Sequence, residues 1–134
     1  MKVVLDSNVL FAYFSSLGLC HDLGRFVYER HEVCLRRSIL NEVRDALRRK
    51  TKSSNREQQE FMTALIVGAF VLEPAVVSPD VCRYPKDIHV LGLALAAQAD
   101  MIVTGDQDLQ FLKKFKGIPI LSPREAWIRL RNGV

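Results

Sequence analysis

The chain has 134 residues, 49% of them hydrophobic and 25% charged, enough apolar material for one domain with a buried core. No run of eighteen apolar residues exists, which excludes a spanning helix. The net charge of +4 leans only mildly toward polyanionic partners.

The first segment, Lys2 to Leu5, is an apolar run ending at Asp6. It reaches an acid too early for a signal peptide and reads as a first strand, so a cytoplasmic protein is expected. Helical spacing follows from Asn8 to Ser16 and from His21 to Arg30. Glu32–Leu35 is the second strand. Ser38 is the expected cap of a third helix, in which Ile39, Leu40, Val43, Ala46 and Leu47 recur at helical spacing. Asn55-Arg56-Glu57-Gln58 reads as a capping-box variant opening a fourth helix that runs to about Val67. Ala69–Leu72 is strand-like. Lys86 to Ala99 is a fifth helix with Ile88, Leu91, Leu95 and Ala99 on one face. Met101–Thr104 and Ile118–Leu121 complete five strand-like runs. A short helix follows Asp108. Ser122-Pro123-Arg124-Glu125 opens the last helix, with serine as cap, proline at the first position and glutamate at the third.

Strands alternating with helices predict a parallel sheet covered on both faces. The expected fold is therefore a three-layer α/β/α sandwich, residues 1–134 forming one domain around four or five mainly parallel strands. There is no repeat, low-complexity tract or linker. Cys20, Cys34 and Cys82 are an odd set at irregular spacing, which fits reduced thiols. Cys20-His21 and His31-x-x-Cys34 lack a repeated pair spacing, so zinc is set aside.

In open parallel sheets ligands bind beyond the carboxyl ends of the strands. Asp6 stands there after the first strand, and Asp106 and Asp108 stand there after Met101–Thr104. Aspartate also caps helices, and Asp6 and Asp108 are each well placed for that alone. Two acids in Asp106-Gln107-Asp108 exceed what one helix start requires. Glu42 lies roughly 60° from Ile39 around its helix, at the edge of the apolar stripe, with no basic residue one turn away. Asp87 opens the fifth helix, where a first-turn acid is favoured in any case. His89 reads as a surface residue of the same turn.

Together Asp6, Glu42, Asp87, Asp106 and Asp108 are the expected acidic cluster, with Ser7, Asn8 and Thr104 as supporting polar groups. Crowded carboxylates repel, and a divalent cation relieves them. An all-oxygen donor set suits Mg²⁺ or Mn²⁺. If these five of the fifteen acids share one pocket, ten acids face nineteen bases elsewhere, about +9 on the remaining surface. An acidic pocket within a basic surface suits a metal and a phosphate backbone together. Arg36 and Arg37, at the end of the second strand, are the best placed for phosphate contact. Arg44, Arg48, Arg49, Lys50, Lys52, Lys113, Lys114 and Lys116 read mostly as solvated faces. Phe11, Tyr13 and Phe14 read as core or interface, not as a stacking platform.

Leu5-Asp6-Ser7-Asn8-Val9-Leu10, Glu42 within a helix, Asp87 ahead of a Leu-Ala-Leu-Ala helix, and Val103-Thr104-Gly105-Asp106-Gln107-Asp108-Leu109 resemble PIN domains in order along the whole chain. The pattern is most similar to the VapC-type toxin components of toxin–antitoxin pairs. The resemblance implies a Mg²⁺- or Mn²⁺-dependent ribonuclease with Asp6, Glu42, Asp87 and Asp106 as metal ligands and Asp108 as an auxiliary acid. It also implies an RNA substrate, a small antitoxin partner and a homodimer, for which Phe11, Tyr13, Phe14, Leu17 and Leu19 offer apolar surface. The alternative is a catalytically inactive RNA-binding or protein-interaction module of the same fold. A receiver domain would want adjacent acids after the first strand, where Ser7 follows Asp6. A haloacid dehalogenase phosphatase would want Asp-x-Asp, where the third residue is Asn8.

Overall fold

In a computed structural model of the chain, residues 1–73, 75, 77, 78 and 87–133 are described. Cys82 and the expected helix start at Pro85-Lys86 lie outside them.

Strand β1 (Lys2–Leu5) sits at the centre of a six-stranded sheet. It is flanked by β2 (Glu32–Leu35) and β4 (Met101–Val103), both parallel to it. β3 (Ala69–Val71) adds to β2 in parallel, and β6 (Ile118–Leu121) adds to β4 in parallel. The order is β3-β2-β1-β4-β6-β5, where β5 (Lys114–Phe115) is a two-residue strand antiparallel to β6. The five expected strands are all present, and β5 makes a sixth.

Val3, Val4 and Leu5 are each fully buried, as are Met101, Ile102 and Val103. Successive strand residues point to opposite faces, so uninterrupted burial means that both faces of the sheet are covered. The helices doing so are α1 (Ser7–Ser15), α2 (Leu19–Arg30), α3 (Arg37–Lys50), α4 (Asn55–Val67), α5 (Ile88–Ala97), α6 (Gln107–Phe111) and α7 (Pro123–Arg131). The three-layer α/β/α arrangement is the observed one. α5 packs on β1 and β2, and its Val90–Ala94 stretch is buried all round. That explains its apolar composition better than a one-sided stripe does.

Several helix starts differ from the sequence expectation. α3 begins at Arg37 with Arg36 as its N-cap and no side-chain cap bond; Ser38 is engaged elsewhere. α4 is capped by Ser54, not Asn55, with Glu57 closing a full capping box. α7 carries the expected Ser122/Glu125 box. Tyr13 and Phe14 are not spare apolar surface: both pack edge to face or tilted against Phe61 of α4, with ring centroids 5.6 and 4.9 Å away. Leu17 alone of that expected sticky set stays open, 89% exposed.

Candidate active site

The register pairs Leu5 with Val103 across β1 and β4. The residues that follow, Asp6 and Thr104, therefore emerge side by side at the carboxyl edge of the sheet, where β1 leads into α1 and β4 into α6. The ladder bonds continue through both residues: the Asp6 N–H donates to Val103 O of β4 at 3.0 Å, and the Thr104 N–H to Leu121 O of β6 at 3.0 Å.

Asp6 is 5% exposed, and its carboxylate is held from three sides. Oδ1 accepts the Ser7 backbone N–H at 2.7 Å. Oδ2 accepts the Thr104 hydroxyl at 2.7 Å and the Asn8 amide at 3.3 Å. A buried charge is tolerable only with such donors. Asp6 is thus the N-cap of α1, as its sequence position allowed, and an anchored carboxylate at the sheet edge as well.

Thr104 Oγ also accepts the Asp106 backbone N–H at 3.0 Å. One buried hydroxyl therefore ties the two acidic motifs together. Asn8 makes a second tie, its Oδ1 accepting the Gly105 N–H at 2.8 Å. A β-carbon at position 105 would sit 3.2 Å from that Asn8 oxygen, so glycine suits the close approach. Asp106 caps α6 by accepting the Asp108 N–H at 2.9 Å, while Asp108 lies in the first turn. Of that pair the capping residue is Asp106, the reverse of the expectation.

Glu42 projects from α3 with its side chain 45% exposed, and its Oε1 lies 3.4 Å from His89 Nε2. His89, in α5, is not a surface residue: its side chain is 18% exposed. Its Nδ1 lies 2.6 Å from Ser38 Oγ, and its backbone oxygen accepts from Arg36 Nη1 at 3.0 Å. Burial pushes the His89 pKa below the ordinary imidazole value, against the pull of Glu42 and Asp6, with Arg36 lowering it further. A neutral ring fits both contacts, accepting at Nδ1 from Ser38 and donating from Nε2 to Glu42. Sequence reasoning missed this role because both side-chain partners come from α3, and local spacing carries no mark of them.

Asp87 occupies the N-cap position of α5, 6% exposed, yet its side chain caps no N–H of that helix. Of the two arginines expected to meet phosphate, Arg37 is exposed, while Arg36 is committed to the His89 carbonyl. Among the described residues, no group of three or more His, Cys, Asp or Glu side chains is gathered closely enough to hold a metal ion unaided. Among the described residues, Cys20 and Cys34 are free of disulfides.

A six-stranded, mainly parallel sheet with paired acidic turns at its central carboxyl edge defines a PIN-type α/β/α domain. Residues 2–108 match the PIN domain family, and the chain belongs to it. The fold is similar to a chain in the crystal structure of VapBC2 from Rickettsia felis bound to a DNA fragment from their promoter. That similarity has a TM-score of 0.62 at 9% identity and covers 91% of this chain and 98% of that one. A search of curated proteins returns no match.

Proposed function

We propose that the chain is a divalent-metal-dependent ribonuclease that hydrolyses RNA phosphodiester bonds and acts in the cytoplasm as the toxin of a toxin–antitoxin pair. Membership of a family whose members are generally nucleases supports the chemistry. The observation that carries the reading is the Thr104 hydroxyl, shared between Asp6 and the Asp106 backbone on neighbouring central strands.

The donor chemistry fits Mg²⁺ or Mn²⁺. Every candidate ligand is a carboxylate oxygen, and Mg²⁺ keeps several waters and needs only one or two protein carboxylates. The sparse gathering of acids is compatible with that habit and not with an all-protein cage. Asp6, Glu42, Asp87 and Asp106 would hold the ion, with Asp108 as an auxiliary acid. When bound, it would acidify water and offset charge on the phosphate.

The chain's own residues supply position. Asp6 is immobilised by Ser7, Asn8 and Thr104, so its oxygens need no reordering when a substrate arrives. Asp106 is oriented by its cap bond to Asp108. Glu42 is steered by His89, and Ser38 in turn fixes the imidazole ring. A carboxylate at this edge can accept a proton from an attacking water; Glu42, the most exposed of the acids, has the freedom to do so.

The same reading includes an antitoxin that occludes this edge and a homodimer, for which the exposed Leu17 offers apolar surface. Incubation of purified protein with RNA and Mn²⁺ tests the reading. Cleavage should be abolished by chelator and by Asp6→Asn. Chelator-resistant cleavage would overturn the metal dependence, and no cleavage by folded protein under any divalent ion would favour the inactive RNA-binding or interaction module instead.

A further inference from the structure

Beside the acids, between α1 and α3, lies a cleft of about 210 Å³. Ser7, Asn8 and Phe11 line it from α1, and Glu42, Arg49 and Lys50 from α3. One end belongs to the acidic edge, since Asn8 is bonded to Asp6 and to Gly105. The other end is basic: Arg49 and Lys50 lie in the last turn of α3 and are exposed. α1 brings no charged residue to balance them.

Among the described residues neither cation is ion-paired with a carboxylate. The Lys50 ammonium rests instead over the ring of half-buried Phe11, 5.7 Å from its centroid. A ring face that accommodates an ammonium can accept another flat or cationic group in its place, and nucleobases stack on such faces. Displacing Lys50 from the ring frees it for a phosphate. Two unpaired cations around an aromatic face, opening on a set of carboxylates, match a ligand that is both anionic and aromatic. A base inside a duplex presents no free face to a side chain, so the matching ligand is an unpaired nucleotide.

We propose that this cleft is the subsite for one unpaired nucleotide of single-stranded RNA next to the scissile bond. Its base stacks on Phe11, and adjoining phosphates meet Arg49 and Lys50. The inference rests on the ribonuclease reading and assigns Phe11, Arg49 and Lys50 to the binding of its substrate.

The test is fluorescence anisotropy of a short labelled single-stranded oligoribonucleotide, and of its duplex form, with chelator present to prevent cleavage. Phe11→Leu keeps the apolar volume and should weaken single-strand binding by about tenfold, leaving duplex binding unchanged. Arg49→Gln/Lys50→Gln should weaken binding and lower the salt dependence of log K by about 2. Arg30→Gln/Arg131→Gln removes the same charge at the opposite edge, where those guanidinium groups lie over Phe26 and Trp127, and should change neither. Wild-type affinity in folded Phe11→Leu and in the Arg49/Lys50 variant, or a wild-type preference for duplex, overturns the subsite. Those results beside intact Mn²⁺-dependent cleavage overturn it alone. Absence of both binding and cleavage in the wild type overturns the ribonuclease reading with it.

Discussion

Thr104 Oγ stands 2.7 Å from Asp6 Oδ2 across 98 residues of sequence, and it is fully buried. The hydroxyl donates to a buried carboxylate and accepts from the Asp106 N–H, so both of its capacities are used. Thr104→Val keeps the β-branched shape and deletes only these bonds. It should destabilise the protein by about 1–3 kcal/mol, the usual cost of leaving a buried polar group unsatisfied. Thr104→Ser should recover most of the loss. Urea denaturation of the three proteins reads this directly, and a Thr104→Val protein as stable as wild type would show that the hydroxyl is dispensable.

Glu42 is the acid for which stability and activity should separate. Its side chain is 45% exposed, and among the described residues its ion-pair-range contact is with the His89 ring. Glu42→Gln should shift stability by no more than about 0.5 kcal/mol, as exposed pairs do. Mn²⁺-dependent RNA cleavage should fall at least about tenfold, on the scale of losses at a metal site. His89→Ala should lower cleavage less, since it frees Glu42 without removing it. Equal cleavage by wild type and Glu42→Gln would strike this glutamate from the site.

The central strands and the acids that follow them were legible from apolar runs ending in Asp6 and Asp106. Parallel strands buried on both faces carry that signature, whereas the adjacency of the two runs is fixed only by the β1–β4 pairing. β5 was not legible. Its turn is built from Lys116 and Gly117, both at positive φ, 49° and 80°. A tight hairpin turn of that shape usually announces itself as Asn-Gly or Asp-Gly, and a lysine in the first position hides it. The start of α3 was misplaced because Ser38, a good cap by type, spends its hydroxyl on His89. Local preference yielded there to a bond that reaches across 51 residues. Phe11 reads in sequence as core or interface, and it does pack against the core; only the packing reveals the ring face under Lys50.

Gly24 measures how tightly α1 and α2 are seated. A β-carbon there would lie 2.6 to 2.9 Å from three ring atoms of Tyr13. Tyr13 is itself wedged between Tyr28 and Phe61, with centroids 6.1 and 5.6 Å away, so it has little room to yield. Gly24→Ala should therefore lose about 1–3 kcal/mol through overpacking, despite alanine's better helix propensity. A thermal melt distinguishes this from the gain that an unobstructed helical glycine would show.

The cap of α7 gives a pH-dependent test remote from the acidic edge. Ser122 Oγ accepts the Glu125 N–H at 3.1 Å, and Glu125 Oε1 accepts the Ser122 N–H at 2.9 Å. The hydrogen bonds from Ser122 hold the Glu125 pKa below its ordinary value of 4.5. A carboxyl group whose pKa is depressed on folding contributes stability that is present above the unfolded value. That contribution is lost as pH falls through the folded value. Glu125→Ala, which removes the carboxylate that accepts the Ser122 N–H, should cost up to about 1 kcal/mol near pH 7. The difference between wild type and variant should narrow as pH drops below about 4.5, where protonated Glu125 no longer favours the box. Denaturation curves at pH 7 and pH 3.5 measure both differences. A gap that stays constant between them would mean the glutamate half of the box adds nothing to the fold.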